Sequence, residues 1–166
     1  MIKNLCICIL IISIQYISAT ECEVPQTDTF AIRVSSDEMV EIVDSEGNYI
    51  SQAVICEYDG GWTTIDYASW IWDKSYAADD ETMYFRVRFP IYGTPKSGYL
   101  TVAVDDHVII FVNGNEIDCS NSSYNYSQTC DILSNIKAGV NSVTFKAYNG
   151  GGSGGLDFRF DIEASF

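Results

Sequence analysis

The stretch Gly98–Ile117 constrains the fold more than any other part of the chain. It reads Gly-Tyr-Leu-Thr-Val-Ala-Val-Asp-Asp-His-Val-Ile-Ile-Phe-Val-Asn-Gly-Asn-Glu-Ile. Two β-branched apolar runs flank a short acidic turn, and the second run ends in Asn-Gly. β-Branched and aromatic side chains suit a pleated surface, while Asp and Asn-Gly supply the dihedrals and local hydrogen bonds of tight turns. The pattern predicts strands over Tyr99–Val104 and Val108–Val112, joined at Asp105–His107, with a second turn at Asn113–Asn115. Val108–Val112 is apolar at every position, which predicts cover on both faces, as in the middle of a sandwich.

The rest of the chain repeats this grammar. Phe30–Val34, Tyr84–Phe89 and Leu156–Ile162 alternate apolar and polar residues, the period of a half-buried strand. Met39–Val43, Tyr49–Cys56 and Ser142–Tyr148 read as further strands. Pro90 and the Gly93–Gly98 stretch are expected to end the strand before them. Asp131–Ala138 has room for one short helical turn, and no long helical period occurs. An internal echo sets Asp37 over Asp106, Met39–Val43 over Val108–Val112 and Gly47-Asn48 over Gly114-Asn115. Duplication would produce it, and so would the common grammar of hairpins. Short strands split by turn signals predict an all-β, antiparallel β-sandwich or jelly roll.

Residues 1–20 read as a signal peptide: Lys3 is the positive start, Leu5–Ile14 the apolar run and Ile17-Ser18-Ala19-Thr20 the small-residue cleavage site. The apolar run is too short to cross a bilayer comfortably, and no later stretch is long and apolar enough to do so. Residues 21–166 are then one secreted domain of 146 residues, long enough for a real core. Cleavage removes Lys3 and no acid, so the net charge moves from −14 to −15. Such a charge argues against nucleic acid and anionic membrane surfaces as partners. Cys22, Cys56, Cys119 and Cys130 remain, an even number in a secreted chain, which predicts two disulfides. Three pairings are open. Loop-closure distance favours Cys119–Cys130 as a clip on one loop and Cys22–Cys56 as a tie on the N-terminal lead-in. Asn121-Ser122-Ser123 and Asn125-Tyr126-Ser127 are glycosylation sequons, expected on an exposed loop at Asn121 and Asn125.

One ordered set of segments resembles a known family. It runs through Ser69-Trp70-Ile71-Trp72, Tyr84–Phe89, Val104-Asp105-Asp106 with Phe111-Val112-Asn113-Gly114, Ala138–Val143, and Ala147-Tyr148-Asn149-Gly150-Gly151 with Gly155-Leu156. This order is similar to galactose-binding-like β-sandwich (jelly-roll) domains, especially the accessory sugar-binding domains of glycoside hydrolases. The resemblance implies a glycan-, lipid-headgroup- or protein-binding module, or a scaffold, and the chain departs from the glycosidase pattern in having no catalytic domain.

Glycan binding needs flat aromatic faces and polar groups for hydroxyls, in loops at one end of a sandwich. Tyr58, Asp59 and Trp62, around Gly60-Gly61, are the expected binding residues, with Asn149 of the glycine loop Asn149–Gly155 beside them. Trp70 and Trp72 are read as core. Asp105 and Asp106 are candidate Ca²⁺ ligands, with Asp79 or Asp80 as a third carboxylate; turn formation is the simpler reading of them and the preferred one. His107 is the only His and has no nucleophile beside it in sequence, which argues against triad hydrolysis. The expected function is a secreted, non-enzymatic, lectin-like carbohydrate-binding module, with an extracellular structural or adhesive subunit as the alternative. Its partner is then a glycan or an extracellular protein, and oligomers are compatible with either.

Overall fold

A computed structural model of the chain describes residues 28–56, 60–121 and 123–166. In chain order the strands are β1 (Thr29–Ser35), β2 (Glu41–Val43), β3 (Tyr49–Gln52), β4 (Val54–Ile55), β5 (Ile71–Trp72) and β6 (Glu81–Ile91). Then follow β7 (Thr94–Asp105), β8 (His107–Val112), β9 (Asn115–Glu116), β10 (Gln128–Asp131), β11 (Gly139–Asn149) and β12 (Gly155–Ser165). One sheet runs β10-β7-β12-β5-β4, with β1 also paired to β12; the other runs β3-β2-β6-β11-β8-β9. The two pack face to face as an antiparallel β-sandwich.

Alternation decides what lies between the sheets. β12 turns Phe158, Phe160 and Ile162 inward and Arg159, Asp161 and Glu163 outward, and β11 turns in Val143, Phe145 and Ala147. Phe145 stacks on Phe158 across the interface at 4.3 Å between ring centroids. Trp72, Phe85, Leu100 and Ile110 complete a core whose large side chains each contribute about 1.5–3 kcal/mol by leaving water. Trp70 and Trp72 are both buried, as their size and setting predict.

Two local expectations need correction. Val108, Ile110 and Val112 are buried, but Ile109 and Phe111 are only half-covered. The described strands form two sheets, so the outer face of β8 meets no third layer. Pro90 does not end β6, which continues to Ile91. It pairs with Val140 of β11 on one side, and β2 reaches only to Arg86 on the other. A missing N–H costs little at such an unpaired margin. The expected helical turn is a 3₁₀ turn at Leu133–Asn135.

The internal echo has a spatial counterpart. β1 and β7 flank β12 in one sheet, while β2-β3 and β8-β9 form the two opposite margins of the other. No described helix is long and apolar enough to cross a membrane. The predicted signal peptide and Cys22 lie outside the described residues.

Candidate functional site: the loop end of the sandwich

β5 passes to β6, β7 to β8 and β11 to β12 at the same end of the molecule, each crossing from one sheet to the other. These crossings bring the glycine loop 150–154 beside the Asp105–Asp106 turn, whose peptide bond is cis. Gly150 N–H donates to Asp106 Oδ2 at 2.8 Å, and Asp106 N–H donates to Tyr148 O at 2.9 Å. The loop before β6 latches on from the other side. Gly152 N–H donates to Asp79 Oδ1 at 3.0 Å, and Tyr148 O–H donates to Asp80 Oδ1 at 2.9 Å. That hydrogen bond, and the Asp80 charge, hold the Tyr148 phenol above its ordinary pKa. Gly152 sits at φ +81°, a conformation that side-chain-bearing residues rarely adopt.

The structure therefore brings together the two glycine loops that the sequence singles out. Gly61, Trp62, Asp105, Asp106, Tyr124, Gly151 and Ser153 line one open, polar depression of about 330 Å³. Within it the roles differ from those expected. Trp62 is 6% exposed, tilted against Trp70 at 4.4 Å between ring centroids, and its Nε1–H donates to Asp105 Oδ2 at 3.0 Å. It is a floor, not a sugar platform. The slot for the two indoles exists because position 155 is glycine; a Cβ there would lie 2.8 Å from Trp70 and 3.0 Å from Trp62.

Asn149 is also buried. Its Nδ2 donates to Ala78 O at 2.9 Å and Gly152 O at 3.3 Å, and its Oδ1 accepts from Gly151 N–H at 3.3 Å. It braces the loops from a buried position. Tyr58 and Asp59 lie outside the described residues. The aromatic that does face the depression is Tyr124, 43% exposed, on a loop tied down by Thr63 N–H donating to its carbonyl at 2.6 Å. The sequons around Tyr124 point to a solvated loop and hide this role in the sequence; its place between Cys119 and Cys130 is the signal that could have revealed it.

That loop is clipped by the Cys119–Cys130 disulfide. Cys56 is buried and forms no disulfide among the described residues; its Sγ lies 3.7 Å from Gly154 O, and burial, with the Asp73 charge second, pushes the thiol up to about 12. Its expected partner, Cys22, is outside the described residues. The sequon at Asn121 does not behave as an exposed acceptor. Its Nδ2 donates to Val102 O at 3.0 Å and Tyr126 O at 3.2 Å, and its side chain is buried. The atom that would carry a glycan is committed to the fold. Asn125 remains exposed.

Among the described residues, neither Asp79 nor Asp80 joins Asp105 and Asp106 as the third carboxylate expected for Ca²⁺. Asp79 and Asp80 each accept a hydrogen bond elsewhere, and no three acidic, His or Cys side chains converge among the described residues.

A second polar surface crosses the outer face of the first sheet, a groove of about 650 Å³ lined by Ala31, Arg33, Ser97, Tyr99, Asp161 and Glu163. Arg33 and Arg159 both donate to Asp161, at 2.9 and 2.7 Å, and Arg33 lies under the ring of Tyr67 at 4.6 Å. Burial alone would raise the Asp161 carboxyl; the two arginines outweigh it and hold it below its usual value. Alternation puts Arg33 on the polar side of Phe30–Val34 and Arg159 and Asp161 on the polar side of Leu156–Ile162, and the β1–β12 pairing brings the three onto one outer face.

Beneath the Thr63–Ser69 segment sits a buried carboxylate, Asp157. It accepts from Ser36 O–H at 3.0 Å and Ile65 N–H at 3.2 Å. Burial pushes its pKa up to about 6 against these hydrogen bonds.

Comparison with solved structures places the architecture. A GH78 family rhamnosidase of Bacillus sp. GL1 aligns over 59% of this chain with a TM-score of 0.51 and 24% identity. The β-glucuronidase of Ruminococcus gnavus aligns over 83% of it with a TM-score of 0.55 and 16% identity. The fold is an antiparallel β-sandwich, and the likeness to these structures is one of fold. The chain spans only 12% and 30% of those two enzymes, so the likeness is to a part of each. No protein-family model and no curated protein sequence matches the chain.

Proposed function

We propose that this protein is a secreted, non-enzymatic carbohydrate-binding module whose site is the loop-end depression. One observation carries the reading: the glycine loops around Gly61 and Gly151 meet the Asp105–Asp106 turn and the exposed ring of Tyr124. A ring face for the apolar side of a sugar, beside carboxylate oxygens and glycine-bared amides for its hydroxyls, is the chemistry such ligands need. The predicted leader and the Cys119–Cys130 clip favour an oxidising, extracellular setting. The fold's occurrence within two enzymes named for sugars agrees with this reading.

The test is a glycan array on the mature protein, followed by calorimetric titration with the selected glycan. Tyr124→Ala is expected to weaken binding by about 1–3 kcal/mol, roughly 5- to 150-fold, with the melting curve unchanged. Tyr67→Ala, over the outer groove, is the control. Loss of binding in that variant alone would move the site to the sheet face, and an array without hits would remove the carbohydrate reading.

Metal gives a separate prediction. Because no three candidate ligands converge among the described residues, excess chelator is expected to leave the melting temperature within about 1 °C, since only a ligand of the native state stabilises it. A drop of several degrees would restore Asp105 and Asp106 as ligands of a structural ion.

The second reading, an extracellular structural or adhesive subunit, draws on a different feature: the exposed apolar margin formed by Tyr49, Ile50, Val54 and Ile55.

A further inference from the structure

The segment between Cys119 and Cys130 holds two glycosylation sequons four residues apart, Asn121-Ser122-Ser123 and Asn125-Tyr126-Ser127. The fold treats their asparagines in opposite ways. Asn121 stands where the two sheets meet. Its carbonyl accepts from Val108 N–H of β8 at 3.2 Å, and its Nδ2 donates to Val102 O of β7 at 3.0 Å and to Tyr126 O at 3.2 Å. Its Oδ1 accepts from Ser123 N–H at 2.6 Å, and the residue is 3% exposed. Both hydrogens of its amide are therefore spent inside the protein.

Asn125 is exposed, as are Tyr126 and Ser127 of the same sequon. Ser123 O–H donates to Asn125 Oδ1 at 2.5 Å, and Asn125 N–H donates back to Ser123 Oγ at 3.3 Å. These bonds hold the carboxamide by its oxygen. Among the described residues its Nδ2 donates to no partner.

We propose that Asn125 is the N-glycosylation site of this protein and that Asn121, despite its sequon, carries no glycan in the folded chain. The proposal rests on the secreted reading and on nothing about the ligand of the loop-end depression. In the transfer, the bond from a sugar C1 to the diphosphate of a lipid-linked oligosaccharide breaks and a C1–Nδ2 bond forms. The lipid diphosphate leaves, and the amide gives up one proton. At Asn125 that hydrogen has no other use. At Asn121 its loss breaks the bond to Val102 O or to Tyr126 O, and a sugar has to fit where the side chain is buried. Transfer onto a growing chain precedes folding, so a chain modified at Asn121 cannot close the junction between the sheets and is not secreted.

The test is expression of the full chain, its own leader included, in insect cells. Enzymatic glycan release in heavy-oxygen water converts each glycosylated Asn of the secreted protein to a labelled Asp, which peptide mass spectrometry maps. Label at Asn125 and none at Asn121 is expected. Two variants each remove one sequon without touching an asparagine: Ser127→Ala is expected to abolish the glycan mass, and Ser123→Ala to leave it unchanged. Asn121→Ala is expected to lower the melting temperature by roughly 5–10 °C, or to stop secretion, with no glycan lost, because two buried carbonyls and one N–H lose their partner. Label at Asn121, secreted protein bare at Asn125, loss of the glycan in Ser123→Ala, or an Asn121→Ala protein that melts with the parent overturns the proposal and leaves the secreted reading standing. A parent chain kept in the cell with its leader uncleaved overturns both.

Discussion

Trp62→Ala is expected to lower the melting temperature by roughly 10–15 °C, by destabilising the fold about 3–5 kcal/mol. The indole is nearly buried against Trp70, in the slot left by Gly155. Truncation leaves a cavity that the two sheets cannot collapse to fill. It also removes the N–H that donates to Asp105 Oδ2, and a buried carboxylate losing a donor is costly. Trp62→Phe separates the terms: it keeps most of the ring packing and drops only the donor, at about 1–3 kcal/mol. Thermal unfolding followed by circular dichroism measures both. An Ala variant that melts within about 2 °C of the parent, yet binds no glycan, would return Trp62 to the role of an exposed sugar platform.

Asp157→Asn is expected to make the protein more stable at pH 7 and to change how stability depends on pH. Burial raises the folded pKa from 3.8 to about 6. Below pH 3.8 the carboxyl is protonated in both states. Between 3.8 and 6 the folded chain keeps the proton while the unfolded chain releases it, so stability falls as pH rises through this window and levels off above it. A rise of that size corresponds to about 3 kcal/mol. Asparagine keeps an acceptor for Ile65 N–H without the charge, and Ser36 O–H has a second acceptor in Phe158 O at 3.3 Å. The difference in denaturant-unfolding free energy between variant and parent should therefore grow from about pH 4 to about pH 6.5 and then stay constant. Taking the difference matters because Glu41, Glu81 and Asp161 are shifted downwards and bend the parent's own curve the other way. A difference independent of pH would mean that Asp157 ionises normally in the folded chain.

Both residues owe their roles to partners that local sequence does not reveal. Trp62 stands beside two glycines, which locally means an open loop; its cover comes from Trp70 and from a missing side chain at position 155. Asp157 sits in an alternating strand whose outward residues should be solvated, yet Ser36 and the Thr63–Ser69 segment lie over it. Asn121 is a sequon by its spelling and a buried brace by its contacts. For the first two the deciding partner is distant in the chain: 43 residues separate Trp62 from Asp105, and 92 separate Ile65 from Asp157.

What the sequence determined by itself was the strand grammar, hence the all-β sandwich, along with the Asn-Gly turn and the aromatic core. Asn113 at φ +52° and Gly114 at φ +84° adopt the turn that their dipeptide predicts. The candidate glycine loops were legible too, and so was the clip between Cys119 and Cys130. These are local signals, because period-two alternation and turn dihedrals depend on neighbours a few residues away. Only the tertiary structure decided that the two glycine loops share one depression, that Tyr124 rather than Trp62 faces it, and which margin of the sandwich is bare. Loops carry no period, so the exposure of their side chains is set by whichever remote segments the crossings between sheets bring against them.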